Sequence, residues 1–228
     1  MILSCDTSTK FLSVAIVKDD KILKKYHSEK KDASGDLFMI ISRFLKSLNI
    51  KLNDFDLFAA GLGPGSFTGL RIGTCAFKTF TFCLDKPLVG INSFDAIACN
   101  FKRENGLICV IEDAKKGKVY AGIYTFDKKQ RLKTKQKPAL FFMESLVKKI
   151  KEPTIFTGGG LEKYKEYISL EDKKFSLANR EFWYPRAEVI AQLATQRHKL
   201  GKFDDPRRLK PLYLHSEKAN ITKSKKLI

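Results

Sequence analysis

The sequence predicts an α/β fold of two lobes, each with a mixed sheet and flanking helices. Three observations lead to this prediction. Short apolar runs alternate with helical apolar stripes, as in chains that cover a sheet with helices. The order strand, strand, strand, helix, strand, helix occurs before the polar residues 102–105 and begins again after them. The 228 residues are 43% apolar, which is enough for one large domain or two small ones.

The first unit opens with three strands that are expected to form an antiparallel meander. Short apolar runs separated by polar turns predict them at residues 2–4, 12–17 and 21–27. Residues 36–48 are predicted as a helix, because their apolar side chains recur with a period of 3.6. A buried strand, a glycine-bearing helix, another strand and a helix capped by Ser93 are then predicted at residues 57–62, 66–84, 88–91 and 93–101.

The second unit repeats this order. Its predicted elements are strands at 107–111, 119–126 and 130–140, a helix at 143–150, a strand at 154–157, a helix at 160–168, a short strand at 175–177 and a last helix at 186–200. The polar, lysine-rich end, residues 210–228, is expected to be partly disordered. We divide the chain into an N-terminal lobe (1–103), a C-terminal lobe (104–215) whose last helix is allowed to pack back on the first lobe, and a basic tail (216–228).

The net charge of +18 is concentrated in the second half of the chain. Residues 107–228 hold 28 basic and 14 acidic residues, whereas the rest holds 15 and 11. Nine basic residues and one acid lie between Lys115 and Lys137, and Lys133, Lys135 and Lys137 alternate as on one face of a strand. This density favours a polyanion such as RNA and makes these three lysines RNA-binding candidates. The alternative is a surface that only maintains solubility, since no RNA-binding motif with stacking aromatics accompanies the lysines.

Several classes of protein are not indicated. No apolar run approaches the roughly 18 residues of a membrane helix, and no basic and apolar leader opens the sequence, so a cytoplasmic protein is expected. The five cysteines lack a Cys-x-x-Cys pair and are expected to be reduced core residues. No metal site is expected, because no two of the three histidines have the i, i+4 spacing that would place both on one metal.

The segment 61–73, Gly-Leu-Gly-Pro-Gly-Ser-Phe-Thr-Gly-Leu-Arg-Ile-Gly, carries the strongest local signal. Gly69 and Gly73 lie on one face of a predicted helix, where each costs about 0.5–1 kcal/mol relative to alanine. A backbone brought close to this face would offset the cost. We interpret the segment as a helix that docks on a partner. The alternatives are a phosphate cradle, whose P-loop and dinucleotide patterns are absent, and a purely structural turn.

Six segments together carry a family resemblance. The strongest are Ile-Leu-Ser-Cys-Asp-Thr-Ser-Thr at 2–9, the eleven residues 63–73, and Pro-Leu-Val-Gly-Ile-Asn-Ser-Phe-Asp-Ala-Ile-Ala at 87–98, and the weaker ones are at 112–120, 158–160 and 210–215. In these segments the chain resembles the TsaB family, also called YeaZ, of the actin-like ATPase superfamily. The resemblance spans nearly the whole chain and implies a two-lobed actin-like ATPase (RNase H-like) fold.

The resemblance implies a role in making the threonylcarbamoyladenosine found beside the anticodon of tRNAs that read codons starting with A. In that pathway a TsaD-like catalytic subunit performs the transfer, and a TsaE-like ATPase acts on the complex. The chain would be a non-catalytic dimerising subunit that binds the TsaD-like subunit, forms a homodimer in isolation and meets tRNA through the complex. No certain cofactor is implied, and ATP or ADP with magnesium would belong at the partner interface. The alternatives are a stand-alone actin-like ATPase or kinase, and a tRNA-binding module.

The partner-docking candidates lie on the helices predicted at 36–48 and 66–84. The glycines would admit a partner helix, apolar side chains would supply contact area, and the arginine would pair with an acid across the interface. The candidates are Leu37, Ile41, Phe44, Ser66, Phe67, Gly69, Leu70, Arg71, Gly73 and Phe77. Two segments depart from the family pattern: Ala33-Ser34-Gly35 stands in place of His-Ser-Glu, and Tyr213-Leu214-His215 in place of Tyr-Leu-Arg.

A second set of candidates concerns a nucleotide. Asp6, Thr7 and Ser8 fit the first phosphate loop of an actin-like kinase, with Asp6 holding a hydrated magnesium ion, although Asp6 is equally suited to cap a turn. Gly158 and Gly159 would face an adenine or simply start a helix. The second phosphate loop should follow the strand at 107–111, but side chains stand there in place of glycines. Half of a phosphate clamp is therefore present.

Overall fold

The computed structural model describes residues 1–29, 33–168 and 173–214, with side chains from residue 36 in the second range. The described residues form two five-stranded mixed sheets with helices packed on them, which confirms the predicted two-lobed α/β fold. The sheet of the first lobe consists of β1 (Ile2–Asp6), β2 (Phe11–Lys18), β3 (Lys21–Glu29), β4 (Leu57–Gly61) and β5 (Leu88–Ile91). The helices between these strands and after them are α1 (Ala33–Leu48), α2 (Phe67–Leu84) and α3 (Ser93–Ala98).

The second lobe has the same order of elements. It contains β6 (Leu107–Asp113), β7 (Lys118–Phe126), β8 (Leu132–Phe142), α4 (Met143–Lys149), β9 (Thr154–Thr157), α5 (Leu161–Tyr164) and β10 (Phe175–Leu177). The two sheets have the same topology. Their strand orders are β3-β2-β1-β4-β5 and, written from the opposite edge, β10-β9-β6-β7-β8. In each lobe the first three strands are antiparallel and the last two continue in parallel. The chain therefore contains one unit twice.

The last helix completes the first lobe. Helix α6 (Ala187–Lys199) lies on the face of the first sheet opposite α1 and α2, where Ile190 and Ala194 pack against strands β4 and β5. The chain then crosses the edge of this sheet, with Asp204 bridged to Leu88 and the Leu212 N–H donating to the Leu62 carbonyl. Both sides of the first sheet are therefore covered only with the help of the C-terminal part of the chain. The tail at 216–228 lies outside the described residues.

Two local predictions were wrong. The side chain of Asn92 accepts from the Phe94 N–H at 2.9 Å, so Asn92 caps α3, while Ser93 is buried and points to the first loop. The helix predicted at 160–168 is only one turn long in α5 and continues as a 3-10 turn at Lys165–Tyr167. Within the described ranges, no helix combines the length and the apolar character that a membrane crossing requires.

Candidate partner-docking face and interlobe cleft

The face of α2 that carries Gly69 and Gly73 packs against the chain itself. A Cβ atom on Gly73 would overlap the Thr7 hydroxyl and lie 3.5 Å from Cys5 Sγ. The Thr7 hydroxyl donates to the Gly69 carbonyl at 2.6 Å, and both glycines are buried. The prediction that this face receives a partner helix is therefore wrong. The missing side chain of Gly73 leaves room for the side chain of Thr7, in the loop after β1.

Two other glycines of the motif, Gly61 and Gly65, lie against the same loop, whereas Gly63 lies against Leu70. A Cβ atom on Gly61 would overlap the Asp6 carboxylate, and one on Gly65 would overlap the Ser8 carbonyl oxygen. The Ser66 N–H donates to that carbonyl at 2.6 Å. The glycine motif is thus a socket for residues 6–8, and its unusual composition follows from how closely it surrounds them.

The Asp6 carboxylate is occupied within the protein. It is 1% exposed, and its Oδ1 accepts from the Ser8 N–H at 2.8 Å and from the Ser8 hydroxyl at 2.6 Å. The Ser93 hydroxyl donates to Oδ2 at 2.6 Å. The bond from the Ser8 N–H is that of an Asx turn, so the geometry favours Asp6 as a turn residue. The alternative, in which Asp6 holds magnesium while Thr7 or Ser8 donates to a phosphate, stays a prediction.

Four of the predicted docking residues belong to the core of the first lobe. Leu37, Ile41, Leu70 and Phe77 are between 0% and 3% exposed, and Phe44 is partly buried against the same core. Their apolar stripes face the sheet, because a helix that lies on a sheet must cover it with its own apolar stripe. These side chains are therefore not available as a surface for a partner, and the prediction is corrected for them.

The remaining three docking candidates lie at the surface. Ser66 caps α2 by accepting from the Gly69 N–H at 3.2 Å. Phe67 is 54% exposed, and the Arg71 guanidinium lies 3.9 Å from the centre of its ring. The Arg71 Nε donates to the Tyr213 hydroxyl at 3.3 Å, which ties the C-terminal segment to the start of α2. That Arg71 pairs with an acid of a partner stays a prediction.

The exposed apolar surface of α1 and α2 is formed mainly by residues that the sequence reasoning missed. Phe38 and Met39 on α1 and Phe82 on α2 are 50%, 45% and 52% exposed, and Cys75, two helical turns before Phe82 on α2, is also exposed. Phe38 meets Phe80 edge to face at 6.3 Å, so the two helices lie side by side. We call the set Phe38, Met39, Phe67, Cys75 and Phe82 the outer face. The available signal was an apolar residue outside the core-facing stripe, as at Phe38 and Met39.

The cysteine prediction holds only in part. All five thiols are free, and Cys5 and Cys109 are buried as expected. Cys75 and Cys83 are exposed on α2, so the core interpretation is wrong for these two. They follow the outward positions of the helix, which the apolar neighbourhood of the sequence did not reveal.

A cleft of about 580 Å³ separates the two lobes on the side of the Asp6 loop. Its lining includes Ser8, Ser66 and Phe67 from the first lobe and Glu112, Asp113, Lys115, Gly159, Glu162 and Tyr184 from the second lobe and the segment before α6. Glu162 joins the lobes, because its carboxylate accepts from Lys10 Nζ at 2.7 and 2.9 Å and from the Tyr184 hydroxyl at 2.8 Å. The mouth of the cleft is therefore held by ion-paired and hydrogen-bonded groups.

Glu112 occupies the place where a second phosphate loop would be needed. Its carboxylate accepts from the Gly159 N–H, while its Oε2 is buried without a hydrogen-bond partner among the described residues. Burial and the nearby Asp113 raise the pKa of Glu112 to about 7. A phosphate next to Gly159 would meet this carboxylate, so these residues do not fit a nucleotide phosphate. The adenine hypothesis for Gly158 and Gly159 stays a prediction; Gly158, with φ +107°, lies against the Ile111 carbonyl.

The substitution Glu112→Gln is expected to increase the free energy of unfolding at neutral pH by about 1–3 kcal/mol. The pKa of Glu112 is about 7 in the folded chain against an ordinary 4.5. Between these pH values the folded state binds more protons than the unfolded state, so ionisation of Glu112 lowers stability as the pH rises from 4.5 to 7. The amide cannot ionise and escapes this loss.

Urea denaturation of both proteins at pH 5 and at pH 8 measures the effect, and the gain from Glu112→Gln should be larger at pH 8. The matched control is Glu162→Gln, since hydrogen bonds from Lys10 and Tyr184 lower the pKa of Glu162 despite its partial burial. This control should lower stability at pH 8. A Glu112→Gln effect that is the same at both pH values would contradict the assignment.

The three candidate RNA-binding lysines lie on β8, the edge strand of the second sheet. Lys133, Lys135 and Lys137 are all exposed. The pairing of β7 with β8 shifts twice along this stretch, between Ala121 and Ile123 and between Ile123 and Tyr124. Because each shift reverses which side successive residues face, the prediction that the lysines share one face by simple alternation is wrong. They form an exposed edge instead.

Comparisons with known proteins agree with this fold. The family model described as TsaD, tRNA N6-adenosine threonylcarbamoyltransferase, matches residues 24–221. The tRNA threonylcarbamoyladenosine biosynthesis protein TsaB of Bacillus subtilis is 29% identical over 73% of this chain and 74% of its own length. TsaB of Escherichia coli is 25% identical over 96% of each chain. The solved structure of YeaZ from Pseudomonas aeruginosa, 24% identical, covers 93% of this chain and 99% of its own, with a TM-score of 0.79.

The family match extends over most of the chain, and the TsaB proteins of Bacillus subtilis and Escherichia coli match 73% and 96% of it. Their names refer to tRNA threonylcarbamoyladenosine biosynthesis. The three-strand, helix and strand unit that occurs twice is the arrangement that the resemblance implied. The chain belongs to the family whose model is described as TsaD, tRNA N6-adenosine threonylcarbamoyltransferase, and, within it, to the TsaB (YeaZ) branch.

Proposed function

We propose that this chain is a non-catalytic, dimerising subunit in the transfer of threonylcarbamoyl to the adenosine next to the anticodon of tRNAs that read codons starting with A. It acts by binding a TsaD-like catalytic subunit through the outer face. The observation that carries the proposal is that Phe38, Met39 and Phe82 are about half exposed on two adjacent helices. Large apolar side chains gathered at one surface are typical of an interaction site.

The proposed occupant follows from the fold. The family model of a threonylcarbamoyltransferase covers residues 24–221, so a TsaD-like protein has a first lobe of the same kind. Two related lobes present equivalent helix pairs, and equivalent surfaces can pair about a twofold or pseudo-twofold axis. The same argument permits a homodimer when the TsaD-like subunit is absent. Binding of a TsaE-like ATPase to the assembled pair stays a prediction.

The energetics favour an interface of ordinary size. Complete burial of a phenylalanine or methionine side chain contributes about 1.5–3 kcal/mol. The three apolar side chains retain about half of their exposure, so each has roughly 1 kcal/mol still to gain on association. A standard interface covers about 1,600 Å² in total, which a pair of two-helix surfaces can supply.

The non-catalytic role is supported by the state of the cleft. The Asp6 carboxylate is held by Ser8 and Ser93, and the Glu112 carboxylate faces Gly159. Neither arrangement leaves a ready place for a phosphate. In the described residues, no three side chains of His, Cys, Asp or Glu are placed to share a metal ion. ATP or ADP with magnesium at the partner interface stays a prediction.

Light scattering after size exclusion tests the proposal. Alone, the 26.0 kDa chain is expected to elute with the mass of a dimer. After mixing with the TsaD-like subunit from the same cell, a mixed pair containing one copy of each chain should replace that dimer, because both assemblies use the outer face. The proposal would be refuted if the chain is monomeric alone and forms no complex with the TsaD-like subunit.

A further inference from the structure

The β7–β8 hairpin carries far more positive charge than its counterpart in the first lobe. The β2–β3 and β7–β8 hairpins hold equivalent edges of the two sheets. Residues 115–137 contain nine basic residues and one acid, whereas residues 10–29 contain five and three. Since the two hairpins have the same topology, the fold itself does not require the excess charge of the second.

Among the residues that the structure describes, most of this charge has no acidic partner. The single acid of the stretch, Asp127, accepts from Arg131 at 2.8 Å and lies 3.7 Å from Lys133, and Lys115 pairs with Asp113 at 3.2 Å. Six lysines remain without a carboxylate within 4.0 Å in the part of the chain that the structure describes: Lys116, Lys118, Lys128, Lys129, Lys135 and Lys137. The hairpin therefore presents a strong positive field to solvent.

The charges are spread along an open edge. The three lysines of β8 lie within five residues, so at about 3.3 Å per residue they span roughly 13 Å of this edge. Lysines on an edge strand also hinder pairing with another sheet, and this is the competing explanation. The edge strand β3 provides a comparison, because it exposes Ile22 and Leu23 and has only Lys21, Lys24 and Lys25. Edge protection alone thus does not account for the charge of β7–β8.

We propose that the outer edge of the β7–β8 hairpin, including Lys133, Lys135 and Lys137, binds the phosphate backbone of the tRNA that the assembled complex modifies. The proposal rests on the proposed function for the identity of the RNA. The described part of residues 115–137 exposes no large apolar side chain that would insert into a membrane. Closely spaced lysines with no exposed aromatic side chain among residues 115–137 fit contact with RNA phosphates and not the reading of bases; the exposed Phe142 lies at the far end of β8, where Lys118 Nζ is 5.0 Å from the centre of its ring.

The test is the salt dependence of tRNA binding by the full-length chain, alone and with the TsaD-like subunit. An unmodified tRNA transcript is titrated by fluorescence anisotropy between about 50 and about 200 mM salt. The triple variant Lys133→Gln, Lys135→Gln, Lys137→Gln is expected to bind at least about tenfold more weakly and to reduce the slope of log affinity against log salt by about 2–3. The matched control, Lys18→Gln, Lys21→Gln, Lys24→Gln, removes the same charge from the equivalent hairpin and should bind like the wild type.

Three results would overturn the proposal: no tRNA binding by the wild type in either form, an equal loss in both triple variants, or an unchanged salt slope in the β8 variant. A fourth result would also overturn it: the β8 variant binds anionic lipid vesicles more weakly than the wild type does, while its tRNA affinity is unchanged. That outcome would indicate a membrane surface instead. Light scattering with the TsaD-like subunit separates the two hypotheses. A normal mixed pair with failed tRNA binding rejects only the tRNA surface, whereas failure of the pair itself rejects the proposed function.

Discussion

The substitution Phe82→Glu is expected to abolish binding of the TsaD-like subunit while the chain stays folded. Phe82 is 52% exposed on α2, so a carboxylate at this position remains hydrated in the free chain. In the complex the same carboxylate would be buried without a partner, which costs several kcal/mol. We expect affinity to fall by at least about a hundredfold, close to 2.7 kcal/mol. Isothermal titration of the TsaD-like subunit with each variant measures the change.

A matched control distinguishes the outer face from general surface charge. Phe142 is a 58% exposed phenylalanine at the end of β8, in the other lobe. The substitution Phe142→Glu should leave the affinity unchanged. Met39→Glu, on the neighbouring helix α1, should weaken binding as Phe82→Glu does. Normal binding by both outer-face variants, with circular dichroism showing intact folds, would mean that the partner docks elsewhere.

The substitution Gly73→Ala is expected to destabilise the chain by about 2–4 kcal/mol, although alanine is the better helix former. The new Cβ atom would overlap the Thr7 hydroxyl, so the buried Thr7 side chain must shift and its bond to the Gly69 carbonyl is lost. At roughly 2–4 °C per kcal/mol for a chain of this size, the melting temperature should fall by about 5–15 °C. Calorimetry or thermal circular dichroism gives the value.

Two further variants make this measurement specific. Cys75→Ala, on the exposed side of the same helix, should change stability by less than about 0.5 kcal/mol. In a Thr7→Ala background, Gly73→Ala should cost less than in the wild type, because the overlapping hydroxyl is gone. Unchanged stability of Gly73→Ala, or equal costs in both backgrounds, would show that the socket does not constrain this position.

The glycine motif illustrates what a sequence can and cannot specify. Gly69 and Gly73 predicted a close neighbour on one face of α2, but the neighbour is the Thr7 side chain and not the backbone of a partner helix that the pattern was taken to indicate. The glycine pattern predicts a close contact on this face of α2, but it does not show which chain supplies that contact. Here Thr7 of the same chain fills the space. The apolar stripes of α1 and α2 had the same ambiguity, since a stripe that covers a sheet and one that binds a partner have the same period.

Strands and helices were predictable from the sequence where the local pattern of apolar residues determines them. The strands at Leu88–Ile91, Thr154–Thr157 and Phe175–Leu177 lie where the apolar runs predicted them. The arrangement of the lysines on β8 was not predictable, because the register shifts arise from pairing with β7 and leave no mark on the period of the sequence. The contact between the Glu112 carboxylate and Gly159 was also not predictable, since it joins a residue of β6 to one in the turn after β9, and these meet only in the fold.

The dependence of the first lobe on α6 has a consequence for synthesis. Ile190 and Ala194 cover β4 and β5, and Leu209 packs against the core beneath α1 and α2. A nascent chain that has emerged only as far as residue 103 therefore lacks one of its two helical layers. We therefore expect the proposed docking surface to become rigid only after α6 and Leu209 have been synthesised, so that any assembly through it follows translation of this part of the chain.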